Sequence, residues 1–330
     1  MHKLPRKTSP GGIKRGIFIN QVKSQCSIYE SGLMVYDAIT LPSDPPSPFT
    51  IDYVETDTNL GGVDRSIQYD FSLVNWHPHT LAVSQKTLSS LGCKKNIAVV
   101  LEVTKDVYLP YTPQFFNLFM IIDPTKPRQG KFYPFPRPLE IGTNLKPLLR
   151  QDKTVIGGFG LVCPTGPALP YKRFYELVEN ANRIGNCIVR LNFPTGTFTG
   201  ISLQMLHEYA DNLKTFAKGD TEVVVTHDYM SKQNLIGWCS QNTVNVFPYY
   251  RNLSGLSAVT DQAIASGRPL VITGDNTFRH IHQYIDHYPD HSYEELILST
   301  PSGVKEMQED WHPSKFKEKF IRMLSETGIL

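Results

Sequence analysis

The segment Ser254-Gly255-Leu256-Ser257 runs through residues 258–269 into Leu270-Val271-Ile272, joining a turn of small residues to a helical stretch and then to an apolar strand. If Ser254 and Gly255 open the helix, the backbone N–H groups of Gly255, Leu256 and Ser257 lie at its positive end. Such a helix end suits a diphosphate. Lys172 and Arg251 are the cations placed to help. Lys172 stands at the start of another expected helix, where a cation is locally unfavourable, so it either serves an anion or is a solvated first-turn lysine. An ordinary helix-to-strand unit of an α/β sheet would show the same pattern with no ligand at all.

The first half offers fewer reactive groups. Glu102 ends the apolar run 97–101 and could orient an acceptor or steady a developing positive charge; an ion pair with Lys105 accounts for it equally well. His77 and His79 flank a proline behind a strand ending at Asn75, but zinc would need further close ligands that the sequence does not offer. Glu55-Thr56-Asp57 is the nearest approach to a paired-carboxylate magnesium or manganese element, and a weak one, so no metal is expected. The loop 20–27 has small and amide side chains suited to sugar hydroxyls, while Ser27 is expected to cap the following helix with Glu30 completing a capping box. Nothing near Cys26 would activate it as a nucleophile.

Strands at 17–20, 49–55, 70–75, 96–103 and 117–123, with helices at 28–39 and 80–91 between them, predict a mainly parallel sheet in the first half. A second cycle comes after it: strands at 154–158, 187–193, 222–226, 243–248 and 270–272, and helices at 171–184, 202–216 and 231–240. The Pro- and Lys-rich stretch 124–153 is the expected connection, dividing the chain into residues 1–148 and 149–330, with the amphipathic helix 313–325 free to pack back on the first unit. In such sheets ligands lie beyond the carboxyl ends of the strands. That rule nominates 20–32, 55, 75–79 and 102–105 on one rim, and 158–172, 192–197, His227, 247–257 and 274–278 on the other. The expected architecture is therefore two Rossmann-like units facing a central cleft.

The bulk properties fit this plan. The chain has 330 residues, 40% hydrophobic and 19% charged, enough for two ordinary cores. Thirty-three basic residues against 31 acidic ones give a net charge of +2, no argument for a broad nucleic-acid surface, although Lys14, Arg15, Arg128, Lys131 and Arg137 could form a local phosphate-binding rim. Five scattered cysteines point to reduced thiols and a cytoplasmic setting. No apolar window is long enough to span a membrane, and the basic first dozen residues are expected to be a solvated leader.

The order of these motifs resembles the GT-B glycosyltransferases, in particular the large retaining group that includes glycogen synthase. Ile156-Gly157-Gly158-Phe159-Gly160 followed by Lys172-Arg173-Phe174 is similar to that group's strand, Gly-rich turn and lysine-bearing helix start. Residues 244–249 and then 254–269 are similar to its strand, phosphate turn and ribose-contacting helix. The resemblance implies that Gly158, Gly160 and Lys172 lie at a donor diphosphate and that His77 lies near the donor sugar. Two glutamates eight positions apart are usual in the group; here Ser254 and Gln262 hold those positions, and only Gln262 keeps hydrogen-bonding capacity suited to a diol. The function it implies is a metal-independent, retaining transfer of sugar from a nucleotide-diphosphate sugar to a glycan or to DNA, with no cofactor beyond that co-substrate. An epimerase, a phosphorylase or a sugar-binding relative without transfer activity are the alternatives on the same fold.

Overall fold

The run Ile17-Phe18-Ile19 has no polar residue to turn toward water, and all three side chains are fully buried in an interior strand of the first sheet. This is the pattern of a parallel strand covered on both faces. In the computed structural model, described for residues 12–22, 26–101, 115–162, 172–195, 201–250, 255–299 and 303–330, these residues belong to β1 (Lys14–Gln21). The chain continues through α1 (Ser27–Thr40), β2 (Phe49–Thr56), β3 (Phe71–Asn75), α2 (Gln85–Ser89), β4 (Lys95–Val100), β5 (Leu118–Ile121) and β6 (Phe132–Pro134). Those six strands form one sheet in the order β2-β1-β3-β4-β5-β6, every pair parallel.

A second sheet is built by β7 (Thr154–Phe159), β8 (Cys187–Asn192), β9 (Glu222–Thr226), β10 (Val244–Phe247) and β11 (Leu270–Ile272), in the order β11-β10-β7-β8-β9 and again wholly parallel. Its helices are α3 (Phe174–Ile184), α4 (Leu203–Thr215), α5 (Lys232–Ser240), α6 (Val259–Ala265), α7 (Tyr293–Ser299) and α8 (Val304–Asp310). The last helix, α9 (Pro313–Glu326), leaves this unit and packs along α1. Its Phe320 meets Phe49 edge-on at 5.5 Å and its Phe316 lies 5.1 Å from Phe135, so α9 supplies part of the core on one face of the first sheet.

Several local expectations differ from the structure, and the stretch 124–153, expected to be only a connection, contributes the edge strand β6. The helix expected over 80–91 is only α2, because Ser84 caps it by accepting from the Thr87 N–H, and the preceding residues are held in a turn from the Leu81 N–H to the His77 carbonyl. Ser27 is not a cap: Cys26 occupies that position without a side-chain bond, and Glu30 reaches Lys232 instead of closing a capping box. The helix expected to open at Ser254 and Gly255 begins at Val259.

Candidate functional site

Between the two sheets lies a cleft of about 470 Å³. One wall is α1, presenting Ser27, Glu30, Leu33 and Asp37, with Cys26 just before it and Glu140 from the connection. The other wall is made by the carboxyl ends of β7 and β8 (Phe159, Gly160, Asn192), the start of α5 (Lys232, Gln233) and α6 (Val259, Gln262). Every strand of both sheets is parallel, so loops leaving the same ends of neighbouring strands converge on one rim, which is the geometry that places a ligand there.

Gly160 shows how closely that rim is fitted. Its φ is +135°, and a Cβ there would stand 2.6 Å from the Tyr249 hydroxyl and 3.0 Å from Nζ of Lys172. Only glycine adopts this conformation without strain. Lys172 is not in a helical first turn, because α3 starts two residues later. It forms a bridge with Tyr249, Nζ donates to the Leu161 carbonyl at 2.5 Å, and the ammonium stands 4.5 Å over the Tyr249 ring. The side chain is buried immediately behind the Gly160 wall. The Tyr249 hydroxyl in turn donates to the Phe159 carbonyl at 2.7 Å, fixing the group.

Gln262 lines the cleft, and its side-chain amide has no partner among the described residues. The residue before it is pinned. Asp261 is buried against Arg137, whose Nε lies 2.9 and 2.8 Å from the two carboxylate oxygens and whose Nη2 lies 2.6 Å from one of them. Nη2 of Arg137 also donates to Ser31 on α1 at 3.2 Å, while Nη1 is buried without a partner among the described residues. Burial pushes the Asp261 carboxyl above its usual range, and the guanidinium opposes that shift. Two more charge pairs cross between the halves: Lys232 with Glu30 at 3.1 Å and Arg279 with Asp123 at 2.6 Å. The α1 wall is acidic. Burial also raises the Asp37 carboxyl, with Lys232 opposing and Glu140 reinforcing the shift.

Several nominated residues stand elsewhere. Gly158 is inside β7, where the missing side chain makes room for Phe174, whose ring would stand 2.9 Å from a Cβ at this position, and it does not line the cleft. The N–H of Ser257 is already bonded to the Thr277 carbonyl at 3.1 Å and the Gly255 carbonyl accepts from the Thr277 hydroxyl, so residues 255–257 form a pinned loop instead of a helical first turn. Leu256 in that loop is buried. His227 bonds the Phe193 carbonyl through Nδ1 at 3.1 Å and packs 4.9 Å from His207. His77 accepts from the His79 N–H and does not line the cleft. Glu102, Arg251 and Ser254 lie outside the described residues. Glu55 accepts from the Tyr29 and Tyr53 hydroxyls, and among the described residues no group of three His, Cys, Asp or Glu side chains could hold a metal.

The suggested basic rim also breaks up: Lys14 pairs with Asp70, Arg15 with Asp52, and Arg137 is interior. Lys232, Asp37, Glu140 and Tyr229 are cleft residues that strand-tip reasoning misses, since they lie within or just before helices or in the connection. The one sequence signal for Lys232 is its place at the start of the helix expected over 231–240.

No protein-family model matches the chain, and no curated protein matches it by sequence. Solved structures do match its fold. A UDP-forming α,α-trehalose-phosphate synthase from Burkholderia xenovorans is similar at 13% identity and TM-score 0.59, over 96% of this chain and 99% of that one. The lipopolysaccharide outer core galactosyltransferase WaaB in its apo form is similar at 10% identity and TM-score 0.60, over 96% and 99%. A trehalose-6-phosphate protein from E. coli bound with UDP-2-fluoro glucose is similar at 9% identity and TM-score 0.53, over 95% of each chain. At these identities the likeness establishes architecture, and the architecture of this chain is the two-unit GT-B fold.

Proposed function

We propose that the chain is a glycosyltransferase that binds a nucleotide-diphosphate sugar in the interdomain cleft and transfers the sugar without a metal. The observation that carries this reading is the cleft itself. It sets an unpartnered amide, Gln262, and a glycine held at positive φ, Gly160, on one wall at the carboxyl ends of a parallel sheet. A protein of the same fold binds a UDP sugar analogue, which supports the ligand class.

Within this reading the charges divide the cleft. A diphosphate would be repelled by Glu30, Asp37 and Glu140, so it belongs on the opposite wall, near Gly160 and the Lys172 ammonium behind it. The Gln262 amide then meets the ribose diol, accepting from one hydroxyl and donating to the other. The acidic α1 wall is left to accept hydrogen bonds from hydroxyl or amine groups of the nucleoside or sugar. Neutralising the leaving diphosphate in a site that excludes water lowers the barrier to breaking the anomeric C–O bond. Retention of configuration and a glycan acceptor follow the family resemblance and are part of the proposal.

Titration calorimetry with UDP, GDP and ADP tests the binding step. One of the three is expected to bind, and Gln262→Ala to weaken it about tenfold, the worth of one or two net hydrogen bonds. Absence of binding by all three would refute the reading. Binding without donor hydrolysis or transfer to any glycan would instead leave a sugar-nucleotide binding protein, a reading favoured by the amide in place of a carboxylate at position 262.

A further inference from the structure

Of the basic residues that the sequence suggests as a rim, Arg128 finds new company. Arg128, before β6, meets Lys319 and Arg322 of α9 around a cavity of about 210 Å³ whose floor is Tyr133, Pro134 and Phe135. The cavity is separate from the interdomain cleft and shares no lining residue with it. A single carboxylate, Glu326, is among its lining groups. None of the three cations forms an ion pair with a described residue.

Unpaired surface cations usually spread apart, and these do not. Lys319 and Arg322 are exposed and three positions apart on one side of α9, and the helix ends too far on for its dipole to explain them, since the last turn carries no basic residue. Arg128 lies 3.5 Å over the Tyr133 ring and Lys319 5.4 Å over Phe135, so aromatic faces hold both cations at the cavity. Three convergent cations with one carboxylate leave a local excess of positive charge that an anion would relieve.

We propose that this cavity is a second anion site, which binds the phosphate group of a phosphate mono- or diester. The volume admits one such group with its ester substituent, and the guanidinium of Arg322 supplies the planar, multiple-donor contact that phosphate oxygens favour. Arg128 uses Nη1 on the Gly130 carbonyl and retains further donors.

Two binding arms distinguish free phosphate from a lipid headgroup: equilibrium dialysis with labelled inorganic phosphate, and flotation with phosphatidylcholine vesicles with or without phosphatidylglycerol. Wild-type protein is expected to bind in at least one arm, and the Arg128→Gln/Lys319→Gln/Arg322→Gln variant to lose about tenfold or more in that arm. Lys172→Ala, behind the wall of the separate interdomain cleft, is expected to keep this binding. Binding by phosphate alone assigns a soluble ester; binding only to phosphatidylglycerol vesicles assigns a headgroup. No binding in either arm, retention by the triple variant, or wild-type binding unchanged between about 50 and 200 mM salt would each overturn the proposal.

Discussion

Replacing Arg137 by methionine should be the most damaging single change at the junction of the two halves, and the structure sets its size. The guanidinium makes three contacts of 2.6–2.9 Å to Asp261 and a fourth to Ser31, and both members of the ion pair are almost wholly buried. Removing one partner of such a pair strands the other, at a cost of about 3–5 kcal/mol. For a chain of this length that is a fall of roughly 6 °C in Tm. The loss should depend on pH. Without the guanidinium, burial acts on the Asp261 carboxyl with only the weaker opposing charge of Lys232 left, and raises its folded pKa further above the unfolded value. A raised carboxyl pKa contributes stability that is present at low pH and lost as pH rises through the folded value, so the penalty of Arg137→Met should shrink on acidification. Urea denaturation at several pH values measures this. The double variant Arg137→Met/Asp261→Leu removes both charges and should recover most of the stability, because replacing a whole buried pair by apolar groups is often neutral. A single variant within about 1 kcal/mol of wild type, or a double variant less stable than the single, would refute the reasoning.

Gly160→Ala forces a side chain into a positive-φ position 2.6 Å from the Tyr249 hydroxyl; it should cost about 1–3 kcal/mol in thermal denaturation and remove nucleotide binding in calorimetry. Phe320→Ala empties a fully buried site where α9 meets Phe49, and a loss of about 3–5 kcal/mol in urea denaturation is expected even though the residue belongs to the C-terminal helix. Burial pushes the Cys93 and Cys187 thiols up to about 11, so native protein should resist iodoacetamide at these positions near neutral pH. Cys26 lines the cleft, and a bound nucleoside diphosphate should slow its alkylation, as read by peptide mass spectrometry.

Period and composition make the strands plain in the sequence, except β6, which lies inside the stretch 124–153 read as the connection. Apolar runs such as Ile17-Phe18-Ile19 and Leu270-Val271-Ile272 identify doubly covered strands because each residue of a parallel strand meets a helix on one face or the other. The place of Gly160 and Gln262 on the cleft wall is also legible, since the motifs that carry the family resemblance nominate both. The start of α6 is not. The turn residues Gly255 and Ser257 are claimed by hydrogen bonds to Thr277, a partner twenty or more positions away that no local pattern reveals. Arg137 escapes for the same reason: a lone arginine in a Pro-rich connection reads as a surface cation until the fold brings Asp261 against it. Long-range polar pairing decides which of two similar residues is interior, and it leaves no periodic trace.

Three charge pairs between the halves, among the described residues, differ in how much water reaches them. Arg137 and Asp261 are dry, Asp123 is buried while Arg279 is partly open, and Lys232 and Glu30 are the most exposed, with side-chain exposures of 17% and 33%. Attraction between charges weakens as the surroundings become more polar, so the Lys232–Glu30 ion pair is worth on the order of 1 kcal/mol, to which the bond from Lys232 Nζ to the Glu30 carbonyl adds, whereas parting Arg137 from Asp261 costs several. Lys232 and Glu30 line opposite walls of the cleft, and Arg137 lies on the segment where the chain passes from one sheet to the other. Separating the halves would therefore cost least at Lys232 and Glu30 and most at Arg137 and Asp261. The buried contacts of Asp261 with Arg137 hold its neighbour Gln262 on the cleft wall whatever becomes of the more exposed pair, so the wall on which the proposed donor rests does not depend on Lys232 and Glu30 staying together.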